Sequence, residues 1–248
     1  SSSNTIDQTY VSVANMNSIG LNLVAGSNAN SILRSTFTYR AGSGGGPANI
    51  EITNSSSNTI TQCMLMGGQG NAVAFSGANF NTVTQSTMNS LNGSYPAVWF
   101  TASSASNTIT QSYMTNLTGT GAYLSASANG NTISQSTITS AAAGYPAIYL
   151  SNSSSNTIQF SYVQGSTAVI VSDSTGTAIN SSVLVATNTI GSALAVQNQT
   201  LGGSVTVAST TLRGGPSGRG LGLNQSNQGT VTIGSVTVTG TAFVIEAV

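Results

Sequence analysis

Histidine and lysine are missing from this 248-residue chain, cysteine occurs once, and charged side chains make up 3% of it. An ordinary soluble domain carries about 25% charged residues. Without histidine, Ser-His-Asp and Cys-His catalysis are excluded, and without lysine so is a Ser-Lys dyad. The cations are Arg34, Arg40, Arg213 and Arg219. They are too few to neutralise a phosphate backbone, so a nucleic-acid partner is excluded. No polybasic segment offers a membrane anchor, and no stretch approaches the ~18 consecutive apolar residues of a transmembrane helix. The lone Cys63 allows no internal disulfide. Residues 1–8, SSSNTIDQ, lack an initiator Met, a basic segment and an apolar segment. They read as the start of a mature or processed chain, and the scarcity of Lys, Asp and Glu predicts an extracellular or cell-surface location.

What fills the chain instead is uncharged polarity: 41 Ser, 34 Thr, 25 Asn and 12 Gln. Disordered chains are poor in hydrophobics and rich in net charge. Here hydrophobic residues make up 39% and the net charge is zero, which predicts a folded chain. Self-similarity runs the whole length. Asn-Thr-Ile recurs at Asn4, Asn58, Asn107, Asn131 and Asn156, with variants at Asn30 and Asn81. The register continues through Ile179, Val207 and Ile233, giving ten anchors spaced 21 to 28 residues apart. Asn188-Thr189-Ile190 falls out of register and reads as chance. Five residues after each anchor comes a second apolar residue, from Val11 and Phe37 to Val238. Three after it sits a small one, such as Ser35, Cys63, Ser86 or Ser112. Before the next anchor lies an alternating apolar pair, for example Val98/Phe100, Ala122/Leu124 or Phe243/Ile245.

Alternation is the period of a strand, and no helical spacing persists. Gly- and Ser-rich stretches at 41–46 and 213–220 read as turns. One small apolar set per repeat cannot form a core alone, but stacked repeats can. The prediction is a single all-β domain over residues 1–248, a β-solenoid of about ten coils. At ~4.8 Å per coil it is about 48 Å long. The Asn-Thr-Ile phrases, the apolar residue five further on and the Pro-Ala-Ile-Tyr-Leu strand at 146–150 resemble the right-handed parallel β-helix repeat family. That family contains pectate lyases, polygalacturonases and many surface proteins. The resemblance implies the fold and leaves function open.

Members that cleave acidic polysaccharides use clustered carboxylates. A glycosidase needs two carboxyl groups about 5–9.5 Å apart, and calcium takes six to eight oxygens. Asp7, Glu51, Asp173 and Glu246 are spread from the first repeat to the last, and no two share a strand face in adjacent coils. The expectation is therefore a non-enzymatic member with no catalytic residues, no metal site and no cofactor. The Asn column (Asn4, Asn30, Asn58, Asn81, Asn107, Asn131, Asn156) reads as a stacked structural ladder. The Ser column containing Cys63 reads the same way. Seven N-x-Ser/Thr triplets occur, about the number chance supplies in so Asn- and Ser-rich a chain.

Trp99, Tyr123 and Tyr149 occupy outward positions in three consecutive coils. They form an aromatic stripe that packs within its sheet, meets a neighbouring subunit or contacts sugar. Outward Thr5, Thr59, Thr82, Thr108, Thr132 and Thr157 leave an ice-binding solenoid as a further alternative. The two ends are in phase. From Ile245 to Ile6 of a following copy is nine residues, as from Phe100 to Ile109. Head-to-tail stacking through Ile6, Val11, Ile233, Val238, Phe243 and Ile245 would make the chain its own partner, in a structural filament or sheath. A carbohydrate-binding or adhesive surface module, with polysaccharide as partner, is the competing expectation.

Overall fold

The computed structural model describes residues 1–14, 18–39, 46–223 and 227–240, and the backbone of 242–245. Among these residues the chain forms three parallel sheets of ten strands, and every strand pairs with the equivalent strand one coil away. Sheet A opens with Thr5–Asp7, sheet B with Tyr10–Val13 and sheet C with Leu21–Val24. The result is an all-β parallel solenoid. Among the described residues no helix is long and apolar enough to cross a membrane.

The repeat register of the sequence is the pairing register of the sheets. Val83 lies opposite Ile60 and Ile109 in sheet A, and Met88 opposite Leu65 and Met114 in sheet B. In sheet C, Phe100 lies opposite Phe75 and Leu124. The inward side chains stack along the axis into one core. Phe75 and Phe100 are fully buried, with ring centroids 4.7 Å apart and planes 6° from parallel. The out-of-register Ile190 is 75% exposed.

Sheets A and B meet at a two-residue corner. Its first residue takes a left-handed backbone: φ is 55° at Gln62, 49° at Gln85 and Gln111, and 47° at Gln135. That conformation costs a side-chain-bearing residue about 1–2 kcal/mol. The second corner residue offsets it by hydrogen bonding. Ser112 Oγ accepts from the backbone N–H of Ser86, 3.1 Å away in the preceding coil, and donates to Thr110 O at 2.8 Å. The same exchange recurs at Ser136 and Ser161.

One expected turn is shorter than its composition implies. Arg213 closes the strand Thr211–Arg213, while Arg219 and Gly220 open Arg219–Leu223, leaving 214–218 as the turn. Neighbouring coils supply ladder partners: Val185 lies opposite Arg213, and Gly214 N–H donates to Thr239 O at 2.9 Å. Pairing thereby overrides a weak local preference. The turn expected at 41–46 lies, but for Gly46, outside the described residues.

Candidate functional site

The Asn column is internally bonded and, from Asn30 onward, buried. From Asn4 through Asn131, each side-chain amide donates to the Oδ1 of the Asn one coil on, at 2.8–3.2 Å. The same Oδ1 also accepts the preceding Asn's backbone N–H, as Asn107 Oδ1 does from Asn81 at 2.9 Å. Asn58 through Asn156 are each 1% exposed. From Asn58 onward these amides face each other and are closed to ligands. Cys63 is equally enclosed. Its Sγ lies 3.3 Å from Thr61 O, and burial pushes the thiol's pKa up, which disfavours the reactive thiolate.

The described carboxylates stand apart. Asp7 forms an ion pair with Arg34, whose Nε donates to Asp7 Oδ1 at 3.0 Å. Glu51 is on the outer face of sheet C and Asp173 in an exposed bend. Among the described residues no group of three His, Cys, Asp or Glu is placed to hold a metal.

Trp99, Tyr123 and Tyr149 lie opposite one another on the outer face of sheet C. The rings lie flat on each other: Trp99 and Tyr123 centroids are 6.4 Å apart at 1°, Tyr123 and Tyr149 5.1 Å at 10°. Trp99 Nε1 donates to Ser125 Oγ at 3.0 Å. Offset parallel packing covers part of the π surfaces of the column. Beside the column, Tyr145, Pro96 and Pro146 close a pocket of about 280 Å³ against Tyr123 and Tyr149. Tyr145 is 40% exposed.

A second concavity was not singled out in the sequence. Along the corner between sheets A and B, Gln62, Gln85, Gln111 and Gln135 form one wall of an axial groove of about 600 Å³. Thr87, Tyr113 and Thr137 form the other wall, with Ser86 and Ser112 between them. The signal was present, a Gln two residues after four consecutive anchors, but it lies at a corner rather than on a strand face.

Of the residues named for self-assembly, Ile6 and Val11 are half-buried against the core, while Ile233 is 39% and Val238 37% exposed. The side chains of Phe243 and Ile245 lie outside the described residues. Thr59, Thr82, Thr108, Thr132 and Thr157 stand half-buried on the outer face of sheet A, and Thr5 is exposed there.

A family model described as periplasmic copper-binding protein (NosD) matches residues 1–216. No curated protein matches the sequence significantly. Among solved structures, the periplasmic alginate epimerase AlgG superposes with a TM-score of 0.74 at 11% identity, over 92% of this chain and 58% of that one. The chain thus spans under two thirds of AlgG. The A-module of the Azotobacter vinelandii mannuronan C-5 epimerase AlgE6 gives 0.51 at 11% identity, over 97% and 88%. Tailspike protein 2 of Escherichia coli O157:H7 bacteriophage CAB120 gives 0.56 at 12%, over 96% and 39%. At such identities the likeness is one of fold.

The residues present do not fit a resident copper ion. Copper sites are built from imidazole, thiolate and thioether donors. Histidine is absent, the one thiol is enclosed, and Met88 and Met114 are fully buried in the core. Met64 and Met66 are the described methionines that face outward, on one strand of sheet B.

Proposed function

The chain belongs to the NosD family, and we propose that it is an exported surface solenoid that binds carbohydrate without turning it over. The observation that carries this reading is the pocket where Tyr145, Pro96 and Pro146 meet Tyr123 and Tyr149. Concave, aromatic-walled and free of charged lining, it suits the apolar face of a sugar ring. The separation of Asp7, Glu51 and Asp173 supports binding over cleavage, because hydrolysis needs two facing carboxyls. The fold shared with alginate epimerases and a tailspike supports a polysaccharide setting and a location outside the cytoplasm.

The test is retention on immobilised polysaccharide, read by affinity chromatography. Tyr145→Ala combined with Tyr149→Ala should weaken retention; unchanged retention would remove this pocket from the site. Release of new reducing ends or unsaturated sugars by the purified protein would overturn the non-catalytic part.

Head-to-tail stacking is a second reading. The axial columns are fully buried in the middle coils, yet Ile6 and Val11 are half-buried and Ile233 and Val238 more than a third exposed. Covering them takes a further coil in matching register, from a second copy or from more of the same chain. Concentration-dependent rods that disappear in Val238→Lys would support the first source, because burying an unpaired charge costs several kcal/mol. A protein that stays monomeric at high concentration would eliminate it.

A further inference from the structure

The axial groove at the corner of sheets A and B has no role in the reading above. It is the larger of the two concavities, about 600 Å³ against about 280 Å³. Its wall repeats one carboxamide per coil across four coils, Gln62, Gln85, Gln111 and Gln135. The left-handed backbone at each of these residues holds the side chain at the outside of the bend, and all four are exposed. Their hydrogen-bonding capacity is largely free. Gln62 Nε2 donates to Gln85 Oε1 at 3.3 Å, and Thr110 Oγ1 lies 3.5 Å from Gln135 Oε1. Among the described residues no protein group bonds either end of the Gln111 amide.

Spacing and charge together select an occupant. Coils advance by about 4.8 Å, close to the advance of one hexose residue along an extended polysaccharide. A chain lying parallel to the axis therefore meets one amide per sugar, and a carboxamide both donates to and accepts from hydroxyls. Across the groove Tyr113 is 40% exposed. In the next coil beyond Gln135 the same corner position holds Phe160, also left-handed and 58% exposed. The two rings offer apolar contact to sugar C–H groups at the middle and at one end of the amide row. No charged side chain lines the groove. The cation in the same corner column is Arg34, one coil beyond Gln62, and it is paired with Asp7. A uronate polymer brings a carboxylate on every residue and finds no free counter-charge here.

We propose that this groove is a binding site for an extended neutral polysaccharide, laid along the solenoid axis at one sugar per coil and discriminated from uronate polymers by the absence of cations. The proposal rests on the carbohydrate-binding reading and assigns it a second site and a ligand class. Affinity chromatography of the intact protein on gel beads bearing hydroxyethylcellulose, galactomannan or dextran, against alginate and polygalacturonate, tests it. Retardation is expected in at least one neutral gel and in neither acidic one, and it should persist as salt is raised.

Gln85→Ala with Gln111→Ala should weaken neutral binding about tenfold, the effect of losing two hydrogen bonds to neutral groups. Tyr113→Ala should weaken it as well. Gln111→Asn, which keeps a carboxamide and tolerates the left-handed backbone, checks that any loss is not a folding defect, together with an unchanged melting temperature. Stronger retardation by alginate or polygalacturonate would overturn the neutral class. Neutral binding lost in the Tyr145→Ala/Tyr149→Ala protein but untouched by the Gln pair would overturn the groove and leave the aromatic pocket standing. No retardation in any gel would overturn both.

Discussion

Two corners of this solenoid carry a column of carboxamides, one per coil, and they behave in opposite ways. Between sheets C and A the asparagines from Asn30 onward are buried, and each amide closes on the next at 2.9–3.2 Å. Between sheets A and B the glutamines are exposed, with one amide-to-amide bond at 3.3 Å. The chemistry of the functional group is the same, so the difference is one of reach and burial. A short side chain turned inward must find its partners within the protein. A longer one on the outside of a bend has water as its default partner, and a hydroxylated ligand can take water's place. A polar ladder in a repeat protein is therefore structural or available according to whether solvent reaches it, not according to residue type.

The sharpest way to break the contrast is to remove one rung on each side. Asn107→Ala leaves the backbone N–H of Asn81 without its acceptor, while the Asn81 side-chain amide still donates to Ser55 O and Asn79 O, each at 3.1 Å. An orphaned buried N–H costs about 1–3 kcal/mol, and a loss in that range is expected in urea unfolding. A loss below about 1 kcal/mol would mean that water replaces the rung. Ser112→Ala, beneath the glutamines, orphans one N–H, that of Ser86. About 1–2 kcal/mol is expected there. Gln111→Gly tests the outer column itself. Relief of a left-handed backbone opposes the greater chain entropy of glycine, so thermal melting should place the variant within about 0.5 kcal/mol of the parent.

The smallest effect concerns the thiol in the Ser column. Burial raises the Cys63 pKa in the folded state. The unfolded thiol, near its ordinary ~8.5, therefore ionises first. The contribution to stability is complete below that value and is lost as pH rises through the folded one. Cys63→Ser should flatten the fall in urea midpoint between about pH 7 and about pH 9.5. An identical pH slope in both proteins would show that the thiol is not its source.

The sheets were readable because each coil must place apolar residues at fixed points. Ile109, Met114 and Leu124 recur in step with Ile133, Ile138 and Leu150, and those are the paired residues. The extent of the 214–218 turn was not readable, because strand length at Arg213 and Arg219 depends on partners one coil away. Alternation correctly put Trp99, Tyr123 and Tyr149 on the outer face. It carries no information on ring orientation, so the parallel stacking, and the pocket beside Tyr145, became visible only in three dimensions. The glutamine row escaped notice because a corner residue follows neither the strand nor the helix period.

Parallel pairing in all three sheets also has a mechanical side. The interstrand bonds run along the long axis, so tension applied between the two ends loads the outermost coil first, and each released coil hands the load to the next. Stability in such an array is local. A coil of 21 to 28 residues pulled straight at ~3.3–3.6 Å per residue yields roughly 70–100 Å. Stretched, the molecule should pay out chain in steps of about that length, as a ratchet rather than a spring.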